Sequence, residues 1–529
     1  MSKNLIFLLV LFLLPFNNVK SANALYPEPD FFTQDDHFFL HTIERGQTVF
    51  SLSVMYNVTV DDIYRLNPES RTVIRVGDAL KIPQKSSSFL YHTIQPQETL
   101  YGVSQKYYMK GEDIIAANPG LSTQTFYIGR TIRIPTNLVT HPIQGGNEVI
   151  NSSRTNQLLS QVTPTRTVNS IKVALLLPFG LNDAAVQKTV QNRMVEYLEG
   201  LLFAVKDLKK RDISVDLQIY DTGSRTEEIQ TALNKKEMQD VNLIIGGLYD
   251  EQITLISRFS KERNIPYVIP LTSLSNEPFN NPNVYQINTP QSHLYSKASL
   301  AFINKYGRDN IIIVSNETGE SNQREFIDLL KQDLQEKRIQ YKTVTLSANF
   351  ANDINILLNR NQKNVIVPSD DTVETLSNLT TPLKSLLDGQ PNLSLSLFGY
   401  ERWQVHAANV RHAEDFFRLN ATFFTVFYSD RTSSEVKTFY NDFYMLYSKV
   451  LENTFPKFGI LGYDTGMYFI RLINTYGSKF DTRINDLTYR GIQTDFQFER
   501  VNNWGGFINK NMYIISYNPD YTITKNIVK

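Results

Sequence analysis

Val76-Gly77-Asp78-Ala79-Leu80-Lys81-Ile82-Pro83 and Ile128-Gly129-Arg130-Thr131-Ile132-Arg133-Ile134-Pro135 are two versions of one pattern. Reading backwards from each, the match continues. Asn67-Pro68 corresponds to Asn118-Pro119, Tyr56 to Tyr107, Thr48-Val49-Phe50 to Thr99-Leu100-Tyr101, and His41-Thr42-Ile43 to His92-Thr93-Ile94, with one residue inserted in the second copy. Residues 41–83 and 92–135 are therefore an internal repeat, and each copy reads as strand, helix, helix, strand. Thr48 and Thr99 suit the N-cap of the first helix, since a threonine hydroxyl can accept an orphan backbone N–H there. Asp61 and Glu112 open the second helix, where negative charge complements the helix dipole. The Asn-Pro pairs end it, because the residue before proline is pushed out of the helical region. Gly77 and Gly129 make the turn into the last strand.

The skeleton x-H-T-I…T-[VL]-[FY]-x-[LV]-S…N-P…x-G-x-x-[LI]-x-I-P resembles the LysM family, with module one at 40–84 and module two at 91–135. That resemblance implies binding of N-acetylglucosamine-containing polymers, chiefly peptidoglycan. It places the groove between the first strand–helix loop and the second helix–strand loop. The matching positions are Gln47, Thr48 and Phe50 with Val73 and Ile74, and Glu98, Thr99 and Tyr101 with Phe126 and Tyr127. Backbone amides and carbonyls would hold acetamido groups while apolar faces cover the sugar rings; Phe50 and Tyr101 are equally able to fill a small core. The family's usual Gly-Asp-Thr start reads Gly46-Gln47-Thr48 in the first copy and Gln97-Glu98-Thr99 in the second. Two weak sites on one chain would gain from effective concentration on a repeating polymer.

The whole chain has 529 residues, enough for roughly three to four domain-sized units. Lys+Arg and Asp+Glu both number 53, so the formal net charge is zero and no electrostatic footprint for nucleic acid or an anionic membrane is visible. Cysteine is absent, which excludes disulfides, thiolate metal sites and a cysteine nucleophile. Seven scattered histidines show no metal-binding spacing, so neither metal nor cofactor is expected. Lys3, the apolar run 5–16 and the small-x-small sequence Ala22-Asn23-Ala24 predict a signal peptide over 1–24. An uncleaved anchor is the alternative. Cleavage would leave a protein without a membrane anchor, in the periplasm or cell wall. Residues 136–170 are polar, lack periodicity and contain Gly145-Gly146, which predicts a flexible linker.

From residue 171 the pattern changes to apolar strands alternating with helices. Strands read at 171–177, 215–220, 241–245, 267–270, 311–314, 365–367 and 395–398, and Met194, Val195, Leu198, Leu201, Leu202, Val205 and Leu208 recur at helical spacing. This predicts a doubly wound parallel sheet in two lobes. Ile171–Leu177 followed by Pro178, Ile244-Ile245-Gly246-Gly247, Ile265-Pro266-Tyr267-Val268-Ile269-Pro270 with Thr272-Ser273, Gly462-Tyr463-Asp464, and a C-terminal hairpin with Gly505-Gly506 resemble the type I periplasmic binding proteins of the Leu/Ile/Val-receptor class. The resemblance implies two lobes, 171–289 with 428–490 and 290–427 with 491–529, joined by three crossovers and closing on a small polar ligand. Thr272, Ser273 and Glu401 are the matching cleft positions. Leu248-Tyr249-Asp250-Glu251 stands where amino-acid receptors carry hydroxyls, and two acids would repel a carboxylate. Asp250 and Glu251 read more readily as a solvated helix N-terminus than as ligand contacts.

These readings point to a non-catalytic envelope protein. LysM modules would hold a receptor-like domain to peptidoglycan, where it contacts a small ligand or another envelope protein. The alternative is a wall-tethered amino-acid or small-solute receptor of a transport or sensing system. An enzyme is disfavoured, since no nucleophile triad or metal set is assembled in the sequence.

Overall fold

The computed structural model describes residues 38–44, 46–71, 74–86, 88–136, 152–160, 170–316, 321–408, 410–487 and 489–528. The expected signal peptide lies outside the described residues, as does Val73.

Each repeat folds as read. Module one is β1 (Phe38–Thr42), α1 (Val49–Tyr56), α2 (Val60–Leu66) and β2 (Ala79–Pro83); module two is β3 (Phe89–Thr93), α3 (Leu100–Lys106), α4 (Gly111–Ala117) and β4 (Thr131–Pro135). The two strands of each pair antiparallel. Thr48 and Thr99 do cap their helices, accepting the N–H of Ser51 and Gly102 at 3.0 Å each. The asparagine before each proline does more than end a helix. Asn67 donates to the carbonyls of Ile63 and Lys81 and accepts the Lys81 N–H, and Asn118 makes the same three bonds to Ile114 and Arg133. It brackets the second helix to the last strand from a buried position.

Part of the expected linker is structured. Ser152–Gln157 form α5 and Leu158–Ser160 a single 3₁₀ turn, and both pack on module two. Leu158 and Leu159 supply the apolar contacts in a stretch that is otherwise polar.

The first lobe begins with β5 (Ile171–Leu177), α6 (Lys188–Lys209), β6 (Val215–Asp221), α7 (Thr226–Leu233), β7 (Leu243–Gly246), α8 (Asp250–Arg263), β8 (Tyr267–Ile269) and β9 (Val284–Gln286). The second holds α9 (Tyr295–Tyr306), β10 (Asn310–Asn316), α10 (Arg324–Glu336), β11 (Tyr341–Leu346), α11 (Phe350–Leu357), β12 (Asn364–Pro368), α12 (Val373–Gly389), β13 (Leu395–Tyr400), α13 (Val410–Arg418) and β14 (Thr422–Thr425). The chain then returns through α14 (Ser434–Tyr447) and α15 (Phe458–Tyr476), both packed on α6, and ends in β15 (Phe498–Arg500), β16 (Phe507–Asn509), β17 (Tyr513–Tyr517) and β18 (Ile523–Ile527). The two sheets run β15-β16-β9-β8-β7-β5-β6 and β11-β10-β12-β13-β14-β17-β18. Strands β9-β8-β7-β5 and β10-β12-β13-β14 run parallel and are largely buried, which is why most read as continuous apolar runs.

This topology moves one expected boundary. Residues 491–529 were assigned above to the second lobe, but β15 and β16 extend the first-lobe sheet and only β17 and β18 join the second. The glycines of the hairpin explain the placement. A Cβ on Gly506 would stand 2.2 Å from the Val284 carbonyl oxygen, and the Gly506 N–H donates to the Pro278 carbonyl at 2.7 Å. The chain thus crosses between lobes after β9, after β14 and after β16.

The modules are not free of the receptor-like domain. Trp504, in the β15–β16 loop, is buried among Phe39, Tyr56 and Tyr91, with ring centroids 6.0 Å from Tyr56 and 5.6 Å from Tyr91. The Arg133 guanidinium lies 4.4 Å over its ring. Beside it the Asn503 carbonyl accepts the Gly120 N–H at 2.7 Å, and its amide donates to the Thr131 carbonyl. The expectation of modules held only by a flexible tether is therefore corrected: aromatic burial fastens them to the first lobe.

The same interface reaches the crossovers. Gly46, with φ +82°, sits where a Cβ would be 3.3 Å from the His293 carbonyl oxygen. Lys510 Nζ lies 3.1 Å from His293 Nδ1, and both residues line a cavity of about 70 Å³ with Glu44, Gln47 and Arg500. Burial, helped by the Lys510 charge, lowers the His293 pKa from 6.5 to about 3. The folded state therefore holds this imidazole neutral while the unfolded chain takes up a proton. Stability from this site is complete above about 6.5 and drains away as pH falls towards about 3. Substituting His293→Asn is expected to flatten acid unfolding in that window, as followed by circular dichroism from pH 7 to 4. An unchanged slope would show that other groups carry it.

Candidate functional site

Each module has the same polar core behind its first loop. His41 Nε2 donates to Gln47 Oε1 at 2.7 Å, and the Tyr56 hydroxyl donates to His41 Nδ1 at 2.7 Å. Gln47 Oε1 also accepts the Glu44 N–H, which fixes the proton on Nε2. In module two His92, Glu98 and Tyr107 repeat the arrangement, with the Gln95 N–H in the place of Glu44. Burial lowers the pKa of both histidines. Glu98 is held below its ordinary range: burial opposes this, but the Gln95 N–H and His92 outweigh it. The side chains of Gln47 and Glu98, expected above as groove contacts, are thus turned inward and brace the loop from inside.

The remaining groove positions fall into two groups. In module one Phe50 is 59% exposed at the start of α1, and Ile74 is half-buried against the module core. In module two Tyr101 and Phe126 are half-buried. The Tyr127 ring is partly open, but its hydroxyl donates to Glu44 of module one at 3.0 Å. Glu44 also pairs with Arg130. The first loop of module one is therefore clasped to the last loop of module two.

In the receptor-like domain the three cleft positions are not a ready ligand cradle. Glu401 follows β13, and its oxygens accept Gln291 Nε2 at 3.2 Å and Thr425 Oγ1 at 3.1 Å. Gln291 lies on the first crossover and Thr425 ends β14 before the second, so this carboxylate ties the hinge. Burial raises its pKa despite those bonds. Thr272 accepts the Leu274 N–H within its own loop, and Ser273 is half-buried beside it. Asp250 and Glu251 are exposed in the first turn of α8, in agreement with the helix N-terminus reading.

The sequence reading missed Asp371. It is buried at the start of α12, where it accepts Asn322 Nδ2 at 2.7 Å, Gln323 Nε2 at 3.1 Å and Arg402 Nη1 at 3.4 Å. Gln323 bonds in turn to Gln291 and to the Tyr295 hydroxyl, so a polar chain runs from Arg402 to Glu401 along one lobe wall. The position after a β12-type strand was the only available signal. Among the described residues no cluster of three metal-ligating side chains occurs.

The LysM domain profile matches residues 41–83 and 92–135, and that of the receptor family ligand binding region matches residues 197–378. Two LysM domains therefore precede an α/β domain of the type I periplasmic-binding-protein class, and both kinds are binding folds. A Bacillus subtilis (strain 168) protein named sporulation-specific glycosylase YdhD is 32% identical over 166 residues, a match covering 30% of this chain and 38% of that protein. A Haemophilus influenzae protein named N-acetylmuramoyl-L-alanine amidase AmiB is 23% identical over 136 residues, covering 18% and 32%. The chain thus spans about a third of the length of the curated relatives it matches. A solved structure described as a branched-chain amino acid ABC transporter from Rhodospirillum rubrum overlays at a TM-score of 0.48 and 12% identity, covering 68% of this chain and 100% of that one. A substrate-binding protein from Desulfitobacterium hafniense in complex with Leu gives 0.42 at 12% identity, with the same coverage.

Proposed function

We propose that this chain is a non-catalytic, peptidoglycan-binding protein of the cell envelope whose LysM domains hold a receptor-like domain to the wall. The observation that carries this reading is the first module's groove, where exposed Phe50 flanks a loop braced from behind by Gln47 and His41. An exposed aromatic face at the edge of a braced loop suits an N-acetylglucosamine ring. The receptor-like domain then serves as the contact for another envelope protein. The internal use of Glu401 supports this over capture of an amino acid, because both of its carboxylate oxygens already have partners.

Full-length protein is expected to sediment with purified insoluble peptidoglycan, and Phe50→Ala to weaken that binding about tenfold, roughly 1.4 kcal/mol. Wild-type protein remaining in the supernatant at low and moderate salt would refute the wall reading. A saturable thermal shift with one small polar solute would favour the wall-tethered solute receptor instead.

Among the described residues no helix is long and apolar enough to cross a membrane. Export to the periplasm or wall is part of the same proposal.

A further inference from the structure

We infer that the groove of module two is occupied by the chain's own residues 152–160, which a glycan must displace. The inference rests on the groove assignment proposed above. Both walls of the second groove are engaged by this segment. On the first wall the Tyr101 N–H donates to Asn156 Oδ1 at 3.2 Å. On the second, the Thr123 N–H donates to the Leu159 carbonyl at 3.2 Å. An amide side chain and a peptide carbonyl therefore occupy the backbone donors that an acetamido group would use. Leu158 and Leu159 cover the apolar floor with Phe126. Thr155 is buried in the same contact.

One residue explains why only the second module accepts the segment. A Cβ on Gly111 would lie 2.6 Å from Thr155 Cγ2 and 3.4 Å from Leu158 Cδ1. The bare glycine makes the seat. Its counterpart in module one is Val60, whose side chain packs against that module's own core. The repeat has thus diverged at this position, and only the second copy carries the seat.

Titration calorimetry of full-length protein with the N-acetylglucosamine hexamer tests this. One binding event per chain is expected for wild type. Two are expected for Gly111→Val, which removes the seat, and for Leu158→Asp, which removes the apolar anchor. Two events in wild type, or one in both variants, would overturn the inference. No event in wild type with one in the variants would overturn the role of module one and keep the self-occupied groove; none anywhere would overturn both. A readout independent of glycan is hydrogen exchange at the Tyr101 and Thr123 amides, expected to be slow in wild type and fast in Leu158→Asp; equal rates in the two would overturn the occupancy itself.

Discussion

Replacing Trp504 with alanine is expected to release both LysM domains from the first lobe while each keeps its own fold. The indole is buried against aromatic rings from both modules and has Arg133 over its face. Its removal leaves a cavity at a junction whose other apolar contacts come from Phe279 and Val501. Large-to-small changes of this kind cost about 3–5 kcal/mol. The module-two core around Val103 and Ile114 lies apart from it, and the module-one cluster that it joins keeps Leu52, Ile63, Leu80 and Ile82. Hydrogen exchange should therefore accelerate at the Gly120 amide, which is bonded to Asn503, but not at the amides that pair β1 with β2. Small-angle scattering should show a larger radius. The indole N–H has no partner among the described residues, so Trp504→Phe removes no hydrogen bond and should stay docked. An alanine variant with wild-type exchange at Gly120 would show that the ring is not the fastener.

Gly200→Val is the second large effect. Helices α6 and α15 meet through glycine, and a Cβ on Gly200 would stand 1.7 Å from the Gly459 carbonyl oxygen. One on Gly462 would stand 2.0 Å from the Tyr197 carbonyl oxygen. Both obstacles are backbone atoms, which cannot swing aside as a long side chain can. Relief requires the helices to separate and strip contacts from Leu201, Ala204 and Leu472 in the first-lobe core. The expected loss is at least about 3 kcal/mol, at the upper end for overpacking. Chemical denaturation should show an early transition in the first lobe. A midpoint within error of wild type would mean that the helices have another way to pack.

How much of this was legible depended on sequence distance. The module elements followed from contacts within some 40 residues: Thr48 to Ser51, Asn67 to Lys81, and their copies. The buried parallel strands announced themselves as apolar runs. Docking did not, because Trp504 meets residues that precede it by more than 400 positions, and nothing local distinguishes it from a core tryptophan. The 152–160 contact was hidden for a different reason. Its hydrogen bonds come from Asn156 and a backbone carbonyl, which carry no periodic signal, and only the Leu158-Leu159 pair and the Gly111/Val60 difference hint at it. In the cleft, the sequence placed Glu401 but did not show its partners. Glu401 looks like a ligand for an amine, yet it bonds to Gln291 and Thr425, far away in sequence, on the connections between lobes.

The path from Trp504 to Lys510 is only six residues long, and β16 fills the interval. Traction on a glycan strand held by the modules would enter the receptor-like domain at the Trp504 loop, run along one strand and arrive at the third crossover. Gly46 already rests on the first crossover at His293. A wall attachment made through the modules would therefore be geared to the crossovers between the two lobes, with a lever arm of a single short strand.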